Sequence, residues 1–513
     1  MRGREVSSST PAMGLLALQR ERQRRQQQIL ACYGSIATVN KRKDSLFQRV
    51  GDDDSQHGEA LRCSLPYLPE DIWRYIHSLM PMRDAARAAC LSHAFLHSWR
   101  CHPNLTLDRK TLRYARGGNF ICKIDRILRN HSGIGLKTLK LNLYDDDSTL
   151  PYVDSWLQVA VTPGIEELTL ALDEKYNVPC SLLSDGVRNS IRCLQLYSCA
   201  FRPTVELGPL RSLTSLFLNS VLITVDELEC LLSNSLALEQ LDLFDCKEII
   251  FLKIPCVLQQ LSSLSITTWR GLQVIESKAP NLSRLDLNAG EIKLSLGELS
   301  QMKDFSLCRT NSVCYARAEL PSIMPNLETL TLYSDDEMVN TPMLPTKFLC
   351  LKHLTISMTS GVVFPSSYDY VSLVSFFDAS PSLETLFLDI SQERMERESV
   401  FGCSSHLRQL PERRHDCLKR VEITGFSSAK SLVELTCCIV KSAVSLERLV
   451  LDTLPVHPRC SGENNKTCWP ISNTVFEEAL RTVVAVRTFI EDEVPPTAKL
   501  TVVEPCARCH SGG

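Results

Sequence analysis

Cys506-Ala-Arg-Cys509-His510 is the one constellation in this sequence whose residue types and spacing could hold a metal or a cofactor. Two thiolates and an imidazole are ligands that zinc accepts, and the same spacing matches the attachment pattern of c-type haem. Zinc needs a fourth ligand, however, and no partner pair with matching spacing stands out upstream. Haem attachment needs a secretory route, and the apolar run Met13 to Leu18 is shorter than a signal-peptide core. The tail therefore reads as a frayed or locally packed end, with no metal and no cofactor. Glycine-rich phosphate loops, nucleophile elbows and helical metal-ligand motifs are absent from the sequence. With 11 histidines and 59 carboxylates, chance neighbours are guaranteed, so none is nominated as an acid or a base. No catalytic role is expected.

Composition points the same way. A chain of 513 residues has room for two or three domains, and 44% hydrophobic with 22% charged residues is ordinary for a soluble protein. A net charge of −3 gives no global drive toward nucleic acid or anionic membrane, and no apolar stretch is long enough to span a bilayer. The 22 cysteines are scattered, which suits reduced, buried thiols in an intracellular protein of the nucleus or cytoplasm. Residues 1–62, with the Arg/Gln-rich stretch Leu18 to Leu30 and Asp52-Asp53-Asp54, read as a disordered polar leader.

The elements that position everything else announce themselves by repetition. From about residue 136 the pattern apolar-x-x-apolar-x-apolar recurs, first as Leu136-Lys-Thr-Leu139-Lys-Leu141 and Ile165-Glu-Glu-Leu168-Thr-Leu170. About a dozen copies follow, including Leu213-Thr-Ser-Leu216-Phe-Leu218, a weaker one from Met302, and Leu446-Glu-Arg-Leu449-Val-Leu451. Their spacing is that of leucine-rich repeats with irregular loops. One short strand cannot bury its own apolar face, but stacked neighbours make a continuous core. An α/β solenoid follows, with parallel strands on a concave face and helices or loops outside. Cys199 and Cys246, three positions after the last leucine of their strands, should face inward as packing residues. The residues flanking the buried leucines should project from the concave face, among them Tyr197, Phe217, Phe244, Tyr333 and Phe387. These five aromatics are candidates for a target-binding surface, or they pack on one another and on nearby loops. Charges of both signs among them argue against a nucleic-acid track.

Ahead of the repeats, Leu65 to Leu107 reads as three short helices. Pro69, Glu70 and Asp71 open the first, Ile72, Ile76 and Leu79 recur at helical spacing, and Pro81 ends it. The others span Arg83 to Leu91 and Ser92 to Arg100, and three such helices bury too little to stand alone. Leu68-Pro69-Glu70-Asp71-Ile72, Leu79-Met80-Pro81-Met82-Arg83-Asp84-Ala85-Ala86-Arg87, Leu91-Ser92 and Trp99-Arg100 resemble the F-box motif of plant proteins, with Phe95 where a tryptophan is usual. Farther on, Val-Glu-Ile-Thr-Gly-Phe from Val421 and Leu-Glu-Arg-Leu-Val-Leu-Asp from Leu446 resemble the FBD-type C-terminal region of plant F-box/leucine-rich-repeat proteins.

The resemblance implies a three-helix F-box over 63–108, a solenoid over 109–415, and FBD-like repeats with a cap over 416–513. It implies a substrate-recognition subunit of an SCF-type cullin ubiquitin ligase, which binds a Skp-type adaptor and, through it, a cullin. The implied adaptor-binding set is Leu68, Pro69, Ile72, Ile76 and Leu79, with Leu91 and Trp99 supporting the module's fold. An unknown protein would be the target. A scaffold, or a ligand-dependent receptor without ubiquitin transfer, is the alternative.

Overall fold

A computed structural model describes residues 69–505, apart from 113–119, 134, 145–146, 269–270, 298, 300, 335–336, 338, 360–367, 392–397, 403–405, 412 and 455–472. The leader, Leu68, residues 455–472 and the Cys506-Cys509-His510 tail lie outside the described residues.

Three helices come first: α1 (Glu70–Ser78), α2 (Met82–Ala88) and α3 (His93–Arg100). Pro69 and Pro81 sit in the capping position ahead of α1 and α2 with extended ψ, a geometry that an amide-less residue tolerates there. Ser92 caps α3 by accepting from the Phe95 N–H at 3.2 Å. Phe95 is buried, its ring centroid 4.9 Å from Trp73 and 5.0 Å from His77. That trio is the core of the small bundle, so phenylalanine fills the aromatic position unaided.

The rest of the described chain is built on a single 15-stranded, all-parallel sheet. Its strands are β1 (Asn104–Leu107), β2 (Thr138–Asn142), β3 (Glu167–Ala171), β4 (Cys193–Tyr197), β5 (Ser215–Asn219), β6 (Gln240–Phe244), β7 (Ser263–Thr267) and β8 (Arg284–Asn288). It continues with β9 (Asp304–Cys308), β10 (Thr329–Ser334), β11 (His353–Thr359), β12 (Thr385–Ser391), β13 (Arg420–Thr424), β14 (Arg448–Asp452) and β15 (Lys499–Val503). Every strand pairs only with the copies before and after it, so the architecture is the α/β leucine-rich-repeat solenoid. The repeat leucines are buried in one continuous cluster from Leu105 to Ile490, while the residues between them face the open side.

Two strands escape the sequence pattern. Ahead of β1 the leading apolar position is His102, which is buried and bridges the Met80 and Asn104 carbonyls at 3.3 and 2.8 Å. Ahead of β15 the position is Thr497. The His102 bridge also fastens the helical module: Met80 closes α1, and the Thr106 N–H of β1 rests on the Met82 sulfur of α2 at 3.2 Å. The three helices therefore do pack on the domain that follows.

Just before each strand from β2 to β14, one residue donates its N–H to the carbonyl of the equivalent residue of the preceding repeat. From β9 onward these residues read Lys303, Glu328, Lys352, Glu384, Lys419 and Glu447, each bonded to the last at 2.8–2.9 Å. Their side chains alternate in sign, with Glu328 between Lys303 (3.4 Å) and Lys352 (3.0 Å).

The FBD-like segment adds strands to the same sheet. Helix α4 (Lys430–Ser442) is buried nearly all round. Even Glu434 is enclosed, accepting from the Arg408 backbone N–H at 2.8 Å and from Arg408 Nε at 2.6 Å. Helix and overlying segment are thus locked together, and that contact turns a half-wet helix into an interior one. Gly425, just after β13, explains the Thr-Gly-Phe run. Its φ is +69° and a Cβ there would stand 2.2 Å from the Ile390 carbonyl oxygen, so only glycine fits.

Candidate functional site

Two surfaces present side chains to the outside of the fold. The first is on α1. Ile72, Tyr75, Ile76 and Leu79 fall at i, i+3, i+4 and i+7, one face of a helix, and all four are exposed. The opposite face is fastened inward by His77 and Trp73 against Phe95. Pro69 is exposed at the start of this stripe. Sequence reasoning named Ile72, Ile76 and Leu79 and missed Tyr75, 63% exposed, although the helical period itself could have found it.

Leu91 corrects an expectation. It was assigned to supporting the module's fold, yet it is 77% exposed. It lies in the tight turn between α2 and α3, where the Leu91 N–H bonds the Ala88 carbonyl at 2.9 Å, and its side chain leaves the bundle. Trp99 is half-buried, its ring 5.7 Å from that of His102, and does serve packing.

The second surface is the open face of the sheet. The register places Asn142, Ala171, Tyr197, Asn219, Phe244, Thr267, Asn288, Cys308, Tyr333, Ser357 and Asp389 in one row, as the repeat spacing requires. Tyr197, Phe217 and Phe244 occupy three adjacent strands, and the Tyr197 and Phe217 rings lie 5.2 Å apart. Tyr333 and Phe387 are on β10 and β12, four or more strand spacings from Phe244, or roughly 19 Å at the usual spacing. The five aromatics are therefore two groups.

Between and beside the first group stand two carboxylates that sequence reasoning noted only as one of several charges. Asp242 faces Phe217 on one side and Ser265 on the other, with Asp286 one strand further. Partial burial and the Asp286 charge push the Asp242 carboxyl up to about 6. Burial also raises Asp286, partly offset by a hydrogen bond from Ser306 and the charge of Arg284. The signal that would have flagged them is the pairing of an acid with aromatics on neighbouring repeats.

The buried thiols behave as packing groups. Cys199 and Cys246 are enclosed, and burial raises them to about 12 and about 11. Among the described residues, no three histidine, cysteine or acidic side chains cluster as metal ligands, and no helix is long and apolar enough to cross a membrane. A pocket of about 240 Å³ lies beside Phe377, Arg413, His415 and Cys438. Arg413 is paired there with Asp378, Arg414 with Asp416, and His415 Nε2 with the Phe377 carbonyl at 2.9 Å, while His415 Nδ1 is buried without a hydrogen-bond partner.

Comparison with known proteins supplies the family. A family model described as At1g61320/AtMIF1, LRR domain, matches residues 127–507. The chain is 25% identical over 344 residues to the F-box/LRR-repeat protein At3g03360 of Arabidopsis thaliana, covering 62% of this chain and 69% of that one. It is 25% identical over 371 residues to the FBD-associated F-box protein At1g66310 (65% and 78% covered), and 21% over 408 residues to At1g61320 (75% and 87%), both from the same plant. Among solved structures, the Leptospira interrogans LRR protein LIC12759 matches with a TM-score of 0.35 and 17% identity, covering 78% of this chain and 95% of that one.

Proposed function

We propose that this chain, which belongs to the At1g61320/AtMIF1 leucine-rich-repeat family of FBD-associated F-box proteins, is a non-catalytic substrate receptor of an SCF-type ubiquitin ligase. The observation that carries the reading is the exposed stripe Ile72, Tyr75, Ile76 and Leu79 on a helix whose other face is anchored. Such a stripe is the form in which an amphipathic helix is handed to a partner's groove. Its occupant on this reading is a Skp-type adaptor, which brings the cullin. Leu91, projecting from the next turn, and Leu68 and Pro69 ahead of α1 complete the docking set.

The open face of the solenoid then holds the target. Rigid attachment of the helices to β1 through His102 and Met82 keeps a target on the sheet at a fixed distance from the adaptor. Ubiquitin transfer gains from that fixed geometry as a raised effective concentration, and no bond chemistry is asked of the receptor. The test is capture of a purified Skp-type adaptor by the intact chain and by an Ile76→Glu, Leu79→Glu variant. Capture by the first alone supports the reading. A folded intact chain that captures no adaptor overturns it.

A further inference from the structure

At the C-terminal end of the open face, β13, β14 and β15 each begin with a cation. Arg420 is paired in register with Arg448, and Arg448 with Lys499. All three are exposed. At the usual strand spacing the row is about 10 Å long. Like charges directly opposite one another on neighbouring strands oppose pairing. None of the three has a carboxylate partner among the described residues, and Glu422, on the same face of β13, pairs with none of them.

The contrast with the adjacent position makes the row informative. One residue earlier in each repeat, Lys303, Glu328, Lys352, Glu384, Lys419 and Glu447 alternate in sign, so neighbouring repeats neutralise each other there. One residue later, the last three strands, β13 to β15, stack three cations with no carboxylate paired to them among the described residues. Folding gains nothing from this arrangement, whereas an incoming anion would.

We propose that Arg420, Arg448 and Lys499 form a docking row for a carboxylate-rich, extended segment of the target protein. This rests on reading the open face as the target surface. In an extended segment the side chains at i and i+2 lie on one side about 6.8 Å apart, so two acidic residues fit within the row. A nucleic acid is disfavoured because the face beyond the row carries Asp286, Asp242 and Glu167, which would repel a continuing phosphate backbone.

The test uses the full chain bound to its adaptor and a fluorescein-labelled peptide of alternating glutamate and serine. A glutamine-serine peptide, a single-stranded RNA and anionic phospholipid vesicles are run in parallel. The glutamate peptide is expected to bind with an affinity that falls as salt rises, and to lose at least about tenfold in an Arg420→Gln, Arg448→Gln, Lys499→Gln variant. Lys140→Gln, at the far end of the sheet, should leave binding unchanged, and the triple variant should melt no lower than the parent. Equal binding by the triple variant, equal binding of the glutamine peptide, or capture of RNA or vesicles in place of the peptide overturns the proposal. Peptide binding that fails while adaptor capture persists removes this inference alone. Loss of adaptor capture by the unmodified chain removes the ligase reading instead.

Discussion

The three N-terminal helices and the solenoid use the same kinds of apolar side chain and treat them in opposite ways. In the solenoid, Leu264, Leu285 and Leu330 are fully enclosed, each flanked in register by the equivalent leucine or phenylalanine of the repeats on either side. In the helices, Ile72, Tyr75, Leu79 and Leu91 face outward, and only Ala85, Phe95 and a few polar groups are buried. The reason is the number of neighbours. A repeat in the middle of a stack has two identical partners to bury it, whereas a three-helix module resting on the end of a sheet has one side to hide and another left over. An apolar stripe that survives this way has little value for the monomer's stability, which leaves it free to serve a partner.

Mutation can break that comparison. Leu285→Ala is expected to cost about 3–5 kcal/mol through lost burial and a cavity, read by urea denaturation. An effect below about 1 kcal/mol would mean the repeats are not packed as described. Gly425→Ala should cost about 2–4 kcal/mol, since the left-handed backbone and the Ile390 carbonyl both exclude a Cβ. Hydrogen exchange should show the loss concentrated in β12 to β14, and uniform loosening would argue against a local clash.

Asp242 offers a smaller effect of the opposite sign. Its carboxyl sits near 6 in the folded chain and near 4 when unfolded, so between those values the folded state holds more protons. Stability should therefore fall as pH rises through that window and stay lower above it. Asp242→Asn should add on the order of 1–2 kcal/mol at pH 7 and almost nothing at pH 4. A variant equally stabilised at both values would point to packing and not to charge. Smallest of all, Leu79→Ala should move stability by no more than about 0.5 kcal/mol while weakening adaptor capture. If it unfolds the helices, the stripe belongs to the module's own core.

Much of this was legible in the sequence because it depends on short-range periods. The alternation of Leu-x-Leu fixes which residues face the open side, and it put Tyr197, Phe217, Phe244, Tyr333 and Phe387 there without the structure. The spacing of Cys199 and Cys246 from their strands gave their burial in the same way. Leu91 was misread because a residue in a turn belongs to no period, and its direction depends on how tightly the two helices are joined. The burial of helix α4 could not be read locally, because its outward face is covered by the segment carrying Arg408.

The sequence by itself determined the repeat, the face on which each strand residue stands, and the resemblance of the helical segment to an F-box. Tertiary structure decided what stands beside what. It recruited Asn104–Leu107 and Lys499–Val503 as the outermost strands, although neither carries the full pattern. It split the five aromatics into two groups and set Arg420, Arg448 and Lys499 side by side. The physical reason is that alternation within a strand is local, whereas neighbours across strands are chosen by stacking over loops of unequal length.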